Sequence, residues 1–238
     1  MCSSDLLGRW QDALAHVDTV DAIICDPPYG ARTHEGHNAL MESEIKMRNL
    51  GDDANREMIH YNAMTTSDVA DFVAAWAPRC RGWFVAMTSH DLIHKWESMF
   101  DAMGRAAFAP VPIIQKRPRL VGDGPSSWAV YMMVSRPRNR EFATWGCLPG
   151  AYEGPTVKDA GIAGTKPLDL MRAIVRDYSR PGDLVCDPFV GSGTTALACA
   201  IEGRRFIGAE EKREHYDIAT KRLSRGFTRD MFSGGDGA

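Results

Sequence analysis

Short apolar runs alternate with segments of helical periodicity along most of the chain. Asp21–Cys25 (DAIIC) predicts a short buried strand that runs straight into Asp-Pro-Pro. Ser67–Cys80 carries a helical pattern, with Ser67 placed as N-cap and Asp68 in the first turn. Gly82–Met87 predicts a strand, His90–Met103 a helix stopped by Gly104, and Ala106–Ile114 and Ala129–Ser135 two further strands. From Arg136 to Thr165 the pattern dissolves into Gly, Pro and isolated aromatics. It returns as a helix at Pro167–Tyr178 with Pro167 at N1. A strand at Asp183–Cys186, a helix at Ser192–Glu202, a strand at Arg205–Ala209 and a helix at Glu214–Leu223 follow. Strands alternating with helices imply an α/β fold, with a mostly parallel sheet covered by helices on both faces.

The 238 residues suit one domain over 1–238. A small insertion is expected at 136–165. The long polar segment 33–66 is expected to be a functional or mobile loop, and the Gly-rich tail 233–238 is expected to be disordered. With 44% hydrophobic and 25% charged residues the composition is that of an ordinary soluble globular protein. No apolar run approaches the ~18 residues that cross a bilayer, and Met1–Trp10 lacks a signal-peptide pattern. The expected compartment is therefore the cytoplasm, with no membrane partner. Six cysteines without a C-x-x-C pair argue against a zinc site or a disulfide framework. Cys25 and Cys186 fall in strands, where a thiol packs as a small apolar group.

The net charge of −3 does not advertise a polyanion partner, but its distribution is uneven. Residues 115–140 hold Lys116, Arg117, Arg119, Arg136, Arg138 and Arg140 against the single acid Asp123. Such a stretch is either a solvated face or a phosphate-binding one. His34-Glu35-Gly36-His37 invites a metal reading but lacks the spacing of H-E-x-x-H and a third ligand, so no metal is expected. Trp76, Trp83 and Trp96, and by default Trp128 and Tyr131, are expected in the core.

Two segments carry chemistry. Asp187-Pro188-Phe189-Val190-Gly191-Ser192-Gly193-Thr194-Thr195-Ala196 follows a strand and opens a helix. Glycines at 191 and 193 let the backbone turn tightly beside a ligand, and helix-start amides favour electronegative atoms. Glu210, about 20 residues on, ends the next strand, where an acid can accept from both ribose hydroxyls. Gly191-x-Gly193-x-x-Ala196 also fits the dinucleotide fingerprint, so an NAD-linked oxidoreductase stays open. Against it, the turn lies beyond Asp187-Pro188-Phe189. That places a carboxylate and a ring at the strand tip, where a pyrophosphate would need bare amides, and a carboxylate suits a ligand with a cationic amino-acid end better than a phosphate.

The second segment is Asp26-Pro27-Pro28-Tyr29. An exocyclic base amine has its lone pair delocalised into the ring. Methylating it requires acceptors that hold the N–H groups and turn the lone pair toward the methyl donor. Asp26 offers one acceptor and the Pro27 carbonyl a second, fixed in direction by consecutive prolines. Tyr29 offers a flat face for an unstacked base. The bland alternative is a rigid turn after a strand.

Together these residues resemble the S-adenosylmethionine-dependent DNA amino-methyltransferases, in the permuted β-class order with Asp-Pro-Pro-Tyr first and the cofactor loop last. Thr165-Lys166-Pro167 resembles the family's Lys-Pro element, and Phe206–Glu210 with Tyr216, Ala219 and Arg222 its acidic strand and helix. The resemblance implies a Rossmann-like, seven-stranded sheet with one antiparallel strand and a flipped-out base. It implies S-adenosylmethionine bound by Lys166, Pro167, Asp187, Pro188, Phe189, Gly191, Gly193, Thr194 and Glu210, with Asp26, Pro27, Pro28 and Tyr29 catalytic. Target recognition falls to 136–165, with double-stranded DNA as partner and 33–66 facing it. So short a recognition region implies few base pairs read, or a homodimer. Such enzymes are bacterial or phage-encoded. Asp at position 26, where N4-cytosine enzymes more often carry Ser, tilts the expectation to adenine N6. Methylation of RNA or of a protein amide, and a non-catalytic binding module, are the remaining alternatives.

Overall fold

A computed structural model describes residues 6–31, 33, 62–119, 127–139, 145–154 and 164–232; the side chains of 6, 116–119, 127 and 225–232 are not part of that description. In chain order the elements are β1 (Leu6–Leu7), α1 (Trp10–Ala13), β2 (Ala22–Cys25), α2 (Thr66–Trp76), β3 (Phe84–Thr88), a 3-10 turn at His90–Leu92, α3 (Ile93–Ala102), β4 (Arg105–Ala107), β5 (Val111–Arg119), β6 (Ser127–Pro137), β7 (Tyr152–Gly154), α4 (Leu168–Tyr178), β8 (Leu184–Asp187), α5 (Thr194–Ile201), β9 (Arg205–Glu210) and α6 (Arg213–Phe232). The chain forms two compact units. One comprises Met1–Cys25, Cys80–Trp83 and Val157–Ala238; the other comprises Asp26–Arg79 and Phe84–Thr156.

The first unit holds four parallel strands in the order β1-β9-β8-β2. Leu6 pairs with Ala209, Ile207 with Cys186, and Cys186 with Ile23. All four residues of β2 are buried, as expected of a parallel strand covered on both faces. That double burial is why the sequence reads there as an unbroken apolar run. Helix α4 buries Leu170, Met171, Ile174, Val175 and Tyr178, and the Tyr178 ring meets Trp83 edge-on at 5.4 Å. Arg172 and Arg176 both reach Glu202 at the end of α5, at 2.7 and 3.0 Å. Pro167 is the N-cap of α4, not N1, because its ψ of 137° is extended.

The second unit is built on β6, which runs antiparallel to β3, β4 and β5, while β7 pairs with β5 in parallel. One strand against the direction of its neighbours is what the family resemblance implied. Nine strands are present among the described residues where seven were expected. The additions in this unit, β4 and β7, are three residues each, too short to leave a period. The single strand expected over Ala106–Ile114 is in fact two, β4 and β5, both paired with β6 and separated around Pro110, which has no N–H to donate. The segment read as an insertion from Arg136 overlaps the end of β6 and contains β7.

The cap of α2 also differs from expectation. Thr65, not Ser67, caps the helix: its Oγ1 accepts from the Asp68 amide at 3.2 Å, and Asp68 Oδ2 accepts from the Thr65 amide at 2.8 Å. Reciprocal capping needs an acid three residues on, which Thr65 has and Ser67, followed at that spacing by Ala70, lacks. Phe72, Phe84, Trp96 and Phe100 form an edge-on aromatic core, with Trp96 Nε1 donating to Thr88 Oγ1 at 3.0 Å. Trp76, Trp83 and Trp96 are buried as expected, but Trp128 is 54% exposed and Tyr131 only half-buried. Trp128 precedes the stretch of β6 that pairs with β3, and Tyr131 is the first residue of that stretch.

Candidate active site

In the first unit the tip of β8 turns on its own carboxylate. Asp187 is 1% exposed, and its Oδ1 accepts from the Phe189 amide at 2.9 Å. The Val190 amide donates to the Ala209 carbonyl at 3.0 Å, which pins the turn to β9. Gly191 and Gly193 have φ of 54° and 78°, in the left-handed region where a Cβ is strained. Gly193 is also the N-cap of α5, with no side chain capping the helix, so helix-start amides remain for a ligand. A Cβ at Gly193 would lie 3.0 Å from the Ala219 Cβ and 3.2 Å from its Cα. The second glycine is therefore required twice, by conformation and by the close approach of α6.

The same helix holds the loop from behind. Arg222, one turn beyond Ala219, donates through Nη1 to the Ser192 carbonyl at 2.6 Å and to Thr194 Oγ1 at 3.1 Å. Burial lowers the guanidinium pKa from its ordinary value. Ser192 and Thr194 hydroxyls lie 3.1 Å apart, and Thr165 Oγ1 donates to Ser192 Oγ at 3.2 Å. That bond brings the segment just ahead of Lys166-Pro167 onto the loop. Lys166 Nζ itself donates to the Gly164 carbonyl at 3.3 Å. In the sequence Ala219 and Arg222 were legible through the resemblance to the family's acidic strand and helix, without a task assigned to either. Their three-residue spacing on one helix face was the signal of a shared task.

Glu210, 9% exposed, joins the two ends of this arrangement. Its Oε2 accepts from the Gly191 amide at 2.8 Å and its Oε1 from the Lys212 amide at 2.9 Å. His215 Nδ1 lies 3.6 Å from Oε1. Burial pushes the carboxyl pKa up. The hydrogen bond from His215, the two amides and the proximity of the imidazole outweigh it, and the net pKa falls below the ordinary carboxyl value. Each oxygen accepts one backbone N–H and keeps acceptor capacity for a ligand hydroxyl.

In the second unit the Asp-Pro-Pro-Tyr segment begins at the residue after β2. Pro27 is buried, while Asp26, Pro28 and Tyr29 are half-buried. The backbone is held on both sides of the Tyr29–Gly30 peptide: the Tyr29 carbonyl accepts from the Met64 amide at 3.0 Å, and the Gly30 amide donates to Ser89 Oγ at 2.9 Å. A Cβ on Gly30 would fall 2.1 Å from Asp91 Oδ2. Gly30, Ser89 and Asp91 were not singled out in the sequence; a glycine directly after the tetrapeptide was the available hint. Gly30→Ala is expected to destabilise the chain by about 1–3 kcal/mol through overpacking. Asp91→Ala in the same chain, which clears that space, should recover most of the loss in urea unfolding.

Among the basic candidates, Arg138 pairs with Asp101 at 3.0 Å and both are exposed. Arg136 Nη1 donates to the Pro137 carbonyl at 3.0 Å, and its guanidinium lies 5.5 Å from the Phe108 ring centroid. Lys116, Arg117 and Arg119 are on β5. Arg140, the His34–His37 cluster, residues 34–61 and the tail 233–238 lie outside the described residues. Among the described residues no group of three or more His, Cys, Asp or Glu could hold a metal ion, and no helix is long and apolar enough to cross a membrane.

Comparison with known proteins places this geometry. Residues 135–221 match the family model N6_N4_Mtase, described as DNA methylase. The type II methyltransferase M.HindIII of Haemophilus influenzae is 30% identical over 138 residues, covering 55% of this chain and 44% of that protein. The type II methyltransferase M.Cfr9I of Citrobacter freundii is 44% identical over 59 residues, 25% of this chain and 20% of that one. The chain thus spans less than half the length of these curated relatives. Among solved structures, the M1.HpyAVI–SAM complex superposes with a TM-score of 0.62 at 24% identity, covering 90% of this chain and 92% of that one. The cytosine-N4-specific PvuII DNA methyltransferase superposes with 0.61 at 15% identity, covering 94% and 90%. The fold is that of these methyltransferases, and the matches bear out the resemblance read from the motifs.

Proposed function

With kinship to the DNA amino-methyltransferases as the premise, we propose that this chain transfers a methyl group from S-adenosylmethionine to the exocyclic amino group of a flipped-out base in double-stranded DNA, with adenine N6 as the target. One observation carries the reading. β2 and β8 pair in parallel register, Ile23 against Cys186. The tetrapeptide starts at the residue after β2, and the glycine loop starts at the last residue of β8. In open α/β sheets ligands bind outside the carboxyl ends of adjacent strands.

S-adenosylmethionine supplies a methyl group already activated on a sulfonium. The chain's own work is binding, orientation and charge placement. The left-handed turn at Gly191 and Gly193 leaves backbone room for the cofactor. Glu210 has acceptor capacity left for ribose hydroxyls, and Asp187 and Lys166 flank the amino-acid end. Asp26 and the Pro27 carbonyl accept from the target N–H groups, so that the nitrogen pyramidalises toward the methyl. The proton released on transfer passes to Asp26 or to water. Tyr29 stacks on the extruded base, and Pro28 stiffens the segment that presents it. No covalent intermediate is needed.

Asp at position 26 supports adenine over cytosine. A cytosine-N4-specific enzyme with a comparable superposition keeps N4-cytosine as the specific second reading. Calorimetry is expected to give binding of S-adenosylmethionine and none of NAD; binding of NAD alone sinks the proposal. Long-read sequencing of DNA from bacterial cells expressing the chain is expected to report methylated adenine in one sequence context. Methylated cytosine there would transfer the assignment to N4.

A further inference from the structure

The pairing of β5 with β6 outruns the sheet that supports it. β6 pairs with β3 through Tyr131–Ser135 and with β4 through Ser135–Pro137. On the other strand, β7 accompanies β5 only as far as Gln115. Beyond those points, among the described residues, Lys116–Arg119 and Ser127–Trp128 have only each other as strand partners. What remains is a two-stranded ribbon. Its register jumps from Ile114↔Ala129 to Arg119↔Ser127, so that Gln115–Pro118 stand opposite Trp128 alone. A bulge of this kind bends the strand and re-aims its side chains, and Pro118, which cannot donate to a ladder, suits it.

Burial changes along the same ribbon. Met132, Met133, Val134 and Ser135 are buried, whereas Ile114 is 38% and Trp128 54% exposed. Three cations, Lys116, Arg117 and Arg119, lie on the bulged strand, and no acid falls between Val111 and Leu120. An exposed indole on a strand pair whose sequence carries three cations and no nearby acid suits a partner with both apolar planes and anions. Double-stranded DNA has both. Its phosphates take Lys and Arg, its major groove admits a two-stranded β-ribbon, and apolar side chains wedge against its base steps.

We propose that this ribbon is a DNA-contacting arm, with Trp128 packed against base or sugar and Lys116, Arg117 and Arg119 on phosphates. The proposal rests on the reading of the chain as a DNA methyltransferase and adds a contact element outside the 136–165 segment. The test is fluorescence anisotropy of the full chain with a labelled pool of random-sequence duplexes. Trp128→Ala is expected to weaken binding about 5- to 100-fold, the loss of one aromatic–base contact, and Trp128→Phe to recover most of it. The triple variant K116A/R117A/R119A should flatten the slope of log K against log salt by about 2.7, at 0.9 per phosphate. S-adenosylmethionine affinity and melting temperature should stay at parental values in all three. Parental duplex binding by both Trp128→Ala and the triple variant overturns the arm and leaves the methyltransferase reading standing. A parent chain that binds S-adenosylmethionine but no duplex overturns both, and a parent that binds an RNA pool more tightly through the same residues reassigns the ribbon to RNA.

Discussion

Asp26→Ala is expected to lower kcat for methyl transfer by at least about 10²- to 10³-fold, with S-adenosylmethionine affinity within a few-fold of the parent. The size follows from the chemistry. An exocyclic amine is a poor nucleophile until its N–H groups are held by acceptors, and a preorganised acceptor acts where charge develops in the transition state. The selectivity follows from where the cofactor loop gets its shape. The Gly191–Thr194 turn is set by Glu210, Ala219 and Arg222, all far from Asp26 in the chain. Asp26→Asn keeps the shape and one acceptor oxygen but adds a donor toward the amine, and should fall between parent and Ala. Single-turnover methylation with saturating cofactor, alongside calorimetric cofactor titration, separates the two effects. Loss of fold in Asp26→Ala, seen as loss of the cooperative melt, would mark the tetrapeptide as a structural turn. Full activity would remove it from the chemistry.

What was legible in the sequence depended on whether the physics was local. β2 and β8 stood out because double-sided burial demands continuous apolar runs, and the glycine loop because a left-handed turn demands glycine. The cap at Thr65 was not legible from Ser67-Asp68 alone, because reciprocal capping is set by the acid three residues beyond the cap. β4 and β7 were not separable by pattern because three-residue strands are specified by the neighbours they pair with, not by their own period. Trp128 was assigned to the core because a tryptophan next to a strand is usually buried. It lies on β6 ahead of the stretch paired with β3 and is 54% exposed, a matter of register that its own sequence neighbours do not encode. The same holds at the site. Asp26–Tyr29 and Asp187–Thr194 announced themselves, whereas Gly30, Ser89, Asp91 and the task of Arg222 exist only through contacts between distant segments.

Glu210→Ala is expected to raise the S-adenosylmethionine dissociation constant about 100-fold while kcat at saturating cofactor stays near the parent. The carboxylate is the acceptor for two backbone donors, Gly191 and Lys212, and removing it leaves both without that partner beside the turn. Each donor left unsatisfied costs about 1–3 kcal/mol, and the ribose acceptors go with it. Glu210→Gln should be nearly as poor, because its single carbonyl oxygen serves one amide while its NH₂ group confronts the other. The pH dependence supplies a check that packing alone would not produce. The folded pKa of Glu210 lies below its ordinary value. Its ionised form therefore stabilises the folded chain above the unfolded carboxyl pKa of about 4.3. That contribution is lost as pH falls through the lower, folded pKa. The gap in melting temperature between parent and Glu210→Gln should accordingly be constant from neutral pH down to about 5 and close below about 4. A gap that stays open in acid would mean that the side chain acts by shape and not by charge. A Glu210→Ala variant with parental cofactor affinity would remove the acid from the binding site altogether.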